Sequence, residues 1–272
     1  MPNRMDVFTK LVTKPTFPII RNVPEPEMEV KGKREEAEYF KFVKGKRLII
    51  VGPAEYLVGQ NRGEEFDKFD IIIRMNLSCP TPAEKMADLG HRTDVLYHII
   101  FGGQHLEARP DLFKWHTKAE VQSWKDEGVR WVVLKRGMNS KRIQRFATVI
   151  EDMIPWVTIP LYQQRKVESQ IGTNPNMMPA IIGQLLRSEM KSLKVVGCDF
   201  HTTGYHAGYG GFTEEQGKAG AGSVQGWGQV EQPDPRKRGG IHNIQKQIAY
   251  LRRVAWDKRL DLSEVFERTD RK

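Results

Sequence analysis

The chain has 272 residues, of which 39% are hydrophobic and 28% are charged. This composition excludes collagen-like, disordered and disulfide-scaffold proteins, and the length is sufficient for one large α/β domain. The 43 basic and 34 acidic residues give a net charge of +9, which favours anionic partners such as nucleic acid, a membrane surface or a phosphorylated substrate.

Residues 1–45 contain five prolines and then a charged run. We expect them to form an N-terminal arm with a short helix near residues 35–42. Charged residues interrupt the apolar stretches of the first 14 residues, unlike a signal peptide, and no apolar run approaches the roughly 20 residues needed to cross a bilayer. We therefore expect a soluble, cytoplasmic protein without a membrane span.

Short β-branched apolar runs alternate with helical segments from Arg47 onward. Six strands are predicted, at 47–52, 70–74, 93–98, 130–134, 156–159 and 193–197, with helices near 118–127, 141–154 and 177–191. Continuous apolar strands of this kind are typical of a parallel sheet covered on both faces. The sequence therefore predicts a single α/β domain with a largely parallel, Rossmann-like sheet flanked by helices, in which ligands bind beyond the carboxyl ends of the strands.

Residues 201–240 are rich in glycine and have no clear period, and a helix is predicted after them, near 243–258. Long irregular segments within compact domains are typical of functional lids or of disorder. The two cysteines, Cys79 and Cys198, form no CxxC pair. They are predicted to be reduced thiols, and we expect no metal site.

The ends of the first two strands carry the first candidate site residues. Gly52 ends the first strand without a GxGxxG or P-loop pattern, so by itself it indicates only a tight turn. Arg74 and Asn76 end the second strand at the edge where ligands bind, and the Asn76 amide can bond a sugar hydroxyl or a base edge. The alternative is that Asn76 caps a loop beside an ion-paired Arg74.

Residues 172–174 (Gly-Thr-Asn) precede the helix predicted from Met177. Free backbone N–H groups at a helix N-terminus suit an anion or a ribose, although Asn174 or Asn176 could simply cap the helix. Two histidines, His206 and His242, lie at either end of the glycine-rich segment. The positive end of the last helix lowers the pKa expected for His242 and favours its neutral, base-competent form.

These segments together resemble the sialylmotifs of the eukaryotic-type sialyltransferase family. Residues 52–76, with Asp67, Asp70 and the Arg-Met-Asn ending, resemble the large sialylmotif, and residues 88–94 resemble its D-x-G-x-R-T continuation. Residues 172–197 are similar to the small sialylmotif, and His242 matches the histidine of the very small motif, H-x4-E. The resemblance spans residues 46–250.

The resemblance implies an inverting, metal-independent glycosyltransferase with a variant GT-A-like fold. Such an enzyme transfers a sialic acid, or a related 2-keto sugar such as Kdo, from a CMP-sugar donor to a hydroxyl of a glycan or glycoconjugate acceptor. No cofactor is expected besides this donor. Residues 46–272 would then form the catalytic nucleotide-sugar-binding domain, with the glycine-rich loop at 201–240 inside it.

The resemblance also assigns the site residues. His242 is the expected base, and His206 is the candidate for the histidine that binds the donor phosphate. The expected nucleotide-binding residues are Gly52, Pro53, Ala54, Asn76, Gly172, Thr173 and Asn174.

Several positions depart from the family pattern. Pro53 stands where an asparagine is common, Gln247 replaces the glutamate of the very small motif, and Leu48 and Met190 occupy the positions of a disulfide. These departures favour a distant, soluble member from a reducing compartment. One alternative is a catalytically inactive nucleotide-binding relative.

A second alternative is a nucleic-acid-binding protein that uses the basic segments 236–238 and 252–253. No nucleic-acid-binding module is recognisable, so we do not expect nucleic acid as a partner.

Overall fold

A computed structural model describes residues 28–99, 116–135, 140–150, 152–200, 202–209, 215 and 243–270. Seven strands form one sheet in these ranges: β1 (Arg47–Val51), β2 (Ile71–Met75), β3 (Val95–His98), β4 (Trp131–Leu134), β5 (Trp156–Thr158), β6 (Ser192–Val196) and β7 (Leu260–Asp261). Their order is β5-β4-β3-β2-β1-β6-β7, and every neighbouring pair is parallel. The predicted single α/β domain with a parallel sheet is confirmed.

Nine α-helices accompany the strands in the described part of the chain: α1 (Met28–Val43), α2 (Gly63–Asp67), α3 (Met86–Leu89), α4 (Lys118–Asp126), α5 (Ser140–Ile150), α6 (Leu161–Ile171), α7 (Met177–Leu185), α8 (Ile244–Val254) and α9 (Ser263–Thr269). Helices α4, α5, α7 and α8 confirm the four that were predicted after the first strand, and α7 ends earlier than expected. In these ranges every helix is too short or too polar to cross a bilayer.

Helix α6 was missed because its buried face is partly polar. Gln163 and Gln164 are each 5% exposed and lie on the same helix as the buried Val167 and Ile171. A hydropathy pattern reads the two glutamines as surface residues, so the apolar stripe that marks a helix is incomplete. Strand β7 was missed because two residues carry no period.

The sheet is buried on both faces, which explains its continuous apolar strands. Along β1, Ile50 belongs to a core shared with α1, α6, α7 and α8, whereas Ile49 belongs to a core shared with α2 and α3. The predicted helix near 35–42 is confirmed as part of α1, and its Tyr39 ring lies 5.5 Å from the ring of Trp131 in β4. The boundary between arm and domain at residue 45 stays a prediction.

The order of the strands creates a switch point at β1. The chain runs from β1 outward to β5 and then returns to place β6 on the other side of β1. In open α/β sheets the crevice beyond the carboxyl ends of the strands at such a point is the usual ligand site. The first residues of the two turns that meet here are Gly52 and Gly197.

Gly52 and Gly197 are in direct backbone contact. A Cβ atom on Gly52 would lie 2.1 Å from the Gly197 carbonyl oxygen, and one on Gly197 would lie 2.5 Å from the Gly52 carbonyl oxygen. Gly197 also has a φ of +68°, in the left-handed region. Any side chain at either position would force the two turns apart, so the switch point requires glycine in both.

We expect Gly197→Ala to destabilise the protein more than Gly59→Ala. Both glycines have positive φ, +68° and +77°, but a Cβ on Gly59 would meet no atom within 4 Å. The shared backbone strain costs about 1–2 kcal/mol. Overpacking at the switch point adds about 1–3 kcal/mol for Gly197→Ala alone. Urea denaturation of both variants measures the difference, and equal losses would show that the contact between the turns is not tight.

Candidate active site

The turn after β1 is joined to the segment that follows β6. The N–H groups of Gly52 and Ala54 donate to the carbonyls of Val196 and Gly197, at 2.9 and 3.1 Å, and the Pro53 carbonyl accepts from the His206 N–H at 3.0 Å. Residues 52–54 are buried, and the N–H groups of Gly52 and Ala54 are therefore engaged within the protein. Their observed role is to hold the two turns together, and their contact with a nucleotide stays a prediction.

Asn76 connects three segments at the same edge of the sheet. It has a φ of +53°, its N–H donates to the Tyr97 carbonyl at 2.7 Å, and its Oδ1 accepts from the Ile99 N–H at 3.1 Å. Its side chain is also hydrogen-bonded to the hydroxyl of Tyr209. Asn76 thus caps the ends of β2 and β3, as the structural alternative proposed. Its side chain is only half-buried, so a ligand contact is compatible with this role.

Arg74 does not meet a ligand, and that expectation is wrong. Its side chain is 1% exposed, and it donates to Thr93 Oγ1 at 3.0 Å and to the Leu89 carbonyl at 2.6 Å. Since β2 is covered on both faces, a side chain one residue before its end points into the interior and not beyond the edge. Burial lowers the pKa of Arg74. The carbonyls at the end of α3 suit this cation.

The acidic residues of the first motif also have structural roles. Asp88 accepts from the Asn61 N–H at 2.8 Å, Asp94 accepts from the Ile72 N–H at 2.8 Å, and Asp67 accepts from the His91 N–H at 3.0 Å. Burial alone would raise the pKa of Asp67 and Asp88, but these backbone hydrogen bonds lower both. The motif therefore stabilises the loops at the edge of the sheet.

His206 lies between these loops. It is 2% exposed, its ring packs edge-on against Tyr209 with centroids 6.1 Å apart, and its Nδ1 is 2.8 Å from the Ala207 carbonyl oxygen. A carbonyl can only accept, so Nδ1 carries the proton and the neutral ring presents a lone pair at Nε2. Burial lowers the pKa of His206, and the nearby positive charges of Lys85 and Arg74 lower it further.

Residues 172–176 form a second group at this edge, between α6 and α7. Gly172 ends α6 with a φ of +82°, and its N–H donates to the Glu168 carbonyl at 2.6 Å. The Thr173 Oγ1 atom is buried and has no hydrogen-bond partner among the described residues. Asn176 precedes α7, but its side chain makes no capping hydrogen bond. Nucleotide binding by Gly172, Thr173 and Asn174 stays a prediction.

Two side chains that the sequence did not single out as site residues hold this loop. Lys135, directly after β4, donates through Nζ to the Pro175 carbonyl, and the Gln247 Oε1 accepts from the Asn176 N–H at 2.7 Å. Burial lowers the pKa of Lys135 to about 8, although the charge of Glu168 opposes the shift. A single lysine after an apolar strand is a weak sequence signal. Gln247 was noticed only as a departure from the family pattern.

The expected base, His242, lies outside the described residues, as does the glycine-rich loop at 201–240 apart from residues 202–209 and 215. The helix that follows His242 is described. Asn243 caps α8 through a hydrogen bond from the Lys246 N–H at 3.0 Å. Lys246 Nζ is 3.4 Å from the position of a Cβ on Gly172, so the first turn of α8 packs against the loop at 172–176.

Cys79 and Cys198 are buried free thiols, as predicted, and burial raises the pKa of both. Within the described ranges, no three His, Cys, Asp or Glu side chains are arranged to hold a metal ion. The expected absence of a metal and of a cofactor stays a prediction.

A buried pair of histidines lies at the end of β3. The rings of His98 and His116 meet edge-on with centroids 4.6 Å apart, and Trp124 and Phe146 pack around them. Burial lowers the pKa of both, and for His98 the proximity of His116 lowers it further. The Glu120 carboxylate, 3.9 Å from His116 Nδ1, opposes the shift of His116 only. The folded protein therefore favours the neutral form of the pair.

Comparison with known proteins gives one family and one fold. The sequence matches the model of glycosyltransferase family 29 (sialyltransferase) over residues 13–205. The crystal structure of a mammalian sialyltransferase is similar, with 11% identity over 88% of this chain and 80% of that chain and a TM-score of 0.50, which confirms the GT-A-like α/β fold. A mammalian sialyltransferase in complex with Gal-beta-1-3GalNAc-ortho-nitrophenol has 12% identity, the same coverage and a TM-score of 0.47. A search of curated proteins gives no match.

We expect the histidine pair to make the protein less stable in acid. The unfolded chain binds a proton at each histidine near pH 6.5, whereas the folded chain resists this, so stability is lost as pH falls below about 6.5. At pH 5.5 the unfolded chain binds these protons more readily than the folded chain does, so the protein should be less stable than at pH 7.5. Urea denaturation at pH 7.5 and 5.5 should show a smaller loss for His98→Leu than for the wild type.

His91→Asn is the control for this experiment, because the His91 side chain is 62% exposed. A pH dependence that is identical in His98→Leu and the wild type would contradict the assignment of acid sensitivity to the pair.

Proposed function

Because the chain belongs to glycosyltransferase family 29 and is a glycosyltransferase, we propose that it transfers a sialic acid or a related 2-keto sugar from a CMP-sugar to a hydroxyl of a glycan. The observation that carries this proposal is the placement of three elements at the same edge of the sheet. These are the joined turns after β1, β2 and β6, the loop at 172–176, and the first turn of α8, which directly follows His242.

The charges near these loops support an anionic donor. A CMP-sugar of this kind carries a phosphate and a carboxylate. The positive charges of Lys85 and Arg74 are close enough to His206 to lower its pKa. Lys135 and Lys246 lie against the loop at 172–176. Clustered positive charge beside low-dielectric walls attracts and orients an anion. In the proposal, Asn76 and residues 172–174 bind the cytidine nucleotide, and residues 52–54 complete its binding site.

The proposed reaction inverts the anomeric centre and uses two histidines. The acceptor hydroxyl attacks the anomeric carbon while His242 removes its proton, and the bond from that carbon to the CMP phosphate breaks on the opposite side. The transition state is oxocarbenium-like, so a base on one side and phosphate stabilisation on the other both lower its energy. The proposal needs no metal ion.

The orientation of His206 suits it to the phosphate. Its Nδ1 is bonded to the Ala207 carbonyl, so Nε2 is the atom left for a ligand. A phosphate next to Nε2 would raise the pKa of the ring by favouring the imidazolium, which then donates a hydrogen bond to the leaving group. Burial in the absence of the donor keeps the ring neutral, so the proposal links protonation of His206 to donor binding.

The two alternatives receive less support. The amide of Gln247 accepts from the Asn176 N–H, as a carboxylate would, so the glutamine retains this structural contact. For nucleic-acid binding, Arg252 is ion-paired with Asp270 and Arg253 donates to the Gln170 carbonyl, while residues 236–238 lie outside the described residues. The cytoplasmic location stays a prediction.

We expect CMP to stabilise the wild-type protein and CMP-sugars to serve as donors. At a concentration of 100 times its Kd, CMP should add about 2.7 kcal/mol of stability and raise Tm by several degrees. UMP and GMP are the matched controls. Release of CMP from CMP-sialic acid and CMP-Kdo is then measured with and without glycan acceptors and in the presence of EDTA. A Tm insensitive to CMP, or no release of CMP from either sugar, would contradict the proposal.

The two histidines should be separable by mutation. His242→Ala removes the base, so kcat should fall by about 10²–10⁴-fold while the Kd for CMP stays unchanged. His206→Ala should weaken CMP binding as well as lower kcat, because His206 contacts the phosphate. The exposed His91→Ala is the control. Full activity of His242→Ala would remove that residue from the mechanism.

A further inference from the structure

A single peptide group in the loop before α7 is held from both sides by buried side chains. The carbonyl of Pro175 accepts from Lys135 Nζ, and the N–H of the next residue, Asn176, donates to Gln247 Oε1 at 2.7 Å. Lys135 extends from the end of β4, and Gln247 extends from α8. The two polar atoms of the Pro175–Asn176 peptide group are thus fixed to two different elements of the fold.

Lys135 and Gln247 are both buried, and their hydrogen bonds to the peptide group offset part of the desolvation cost. Lys135 is 6% exposed and Gln247 is 0% exposed. Burying an ammonium group is expensive, and a neutral donor or a water molecule could satisfy one carbonyl at lower cost. A cation at this position has a further use in a site for an anion. Burial lowers the pKa of Lys135, and the charge of Glu168 opposes this shift. Lys246 also lies against the loop.

Some polar groups of the loop make no anchoring contact in the part of the chain that the structure describes. The Gly172 N–H belongs to the end of α6, and the Asn176 side chain leaves the start of α7 uncapped. The Thr173 Oγ1 atom has no partner in the described part of the chain. The two hydrogen bonds to the Pro175–Asn176 peptide group therefore contribute to the orientation of residues 172–174, which directly precede it.

We propose that Lys135 and Gln247 are positioning residues that hold residues 172–174 in the conformation that binds the donor nucleotide. The inference rests on the proposed function, since it concerns the same donor site. Lys135 also brings a cationic group to the loop that the proposed function assigns to the anionic donor. Both residues act through the peptide group and do not take part in the chemical step.

Donor kinetics test this role. Lys135→Met and Gln247→Met remove one hydrogen bond each and keep the approximate size of the side chain. Each should raise the donor KM and the Kd for CMP about tenfold, while kcat changes by less than about threefold. Lys135→Arg keeps the charge and the donors, and Gln247→Glu keeps the acceptor, so both should recover most of the affinity. A merely structural role would not give this split between KM and kcat with recovery.

Gln184→Met is the matched control. Gln184 is also a fully buried glutamine, but it lies at the far end of α7, where its Oε1 accepts from the Tyr97 hydroxyl at 2.9 Å. This variant should lower Tm without changing the Kd for CMP. If Gln184→Met weakens CMP binding as much as Gln247→Met does, the effect is general destabilisation and the positioning role is wrong.

Amide hydrogen exchange separates this inference from the proposed function, because it needs no ligand. In the wild type the Asn176 amide should be protected, and Gln247→Met should increase its exchange rate at least tenfold while residues in the β strands stay protected. Unchanged exchange in Gln247→Met, or unchanged Kd values in both Met variants, would overturn the positioning role of Lys135 and Gln247 without contradicting the proposed function. Absence of CMP binding by the wild type would instead overturn the proposed function. The role of Lys135 and Gln247 in donor binding would then be wrong as well.

Discussion

The backbone contact between Gly52 and Gly197 is the constraint on which the candidate site depends. It lets the turns after β1 and β6 approach within a distance that no side chain would permit, at the point where the strand order reverses. The Pro53 carbonyl then meets the His206 N–H, and Tyr209 reaches Asn76. A wider crevice here would break these contacts, and the imidazole of His206 would no longer lie between the turns.

The polar residues around this contact fall into two groups, those that hold the loops and those that are placed to contact a ligand. Arg74, Asp67, Asp88 and Asp94 are engaged with backbone groups, and they hold loops in place without facing a ligand. This arrangement reduces the entropy cost of substrate binding. A loop whose carbonyls and N–H groups are satisfied by charged side chains is already ordered, so it loses little conformational entropy when a substrate binds. In the proposed site, the described side chains that would contact a donor are already oriented, which is the condition for electrostatic catalysis.

The sequence was sufficient for most of the sheet and for much of its edge, because short β-branched apolar runs such as 48–51 and 71–73 are typical of strands covered on both faces. It was insufficient where polarity and burial disagree. Arg74 reads as a surface cation and is buried, the glutamines of α6 read as exposed and face the core, and Lys135 follows an apolar run without any pattern that marks it. These side chains are buried because tertiary hydrogen bonds satisfy them, and such partners are distant in sequence and leave no local signal.

A crystal structure of the protein with CMP tests the central claim most directly, because the claim is that one edge of the sheet forms a single nucleotide site. The account predicts cytidine monophosphate beyond the carboxyl ends of β1 and β2, with the Asn76 side chain and residues 172–174 within hydrogen-bond distance and the phosphate at His206 Nε2. A nucleotide bound elsewhere on the molecule, or no bound nucleotide at saturating CMP, would contradict it.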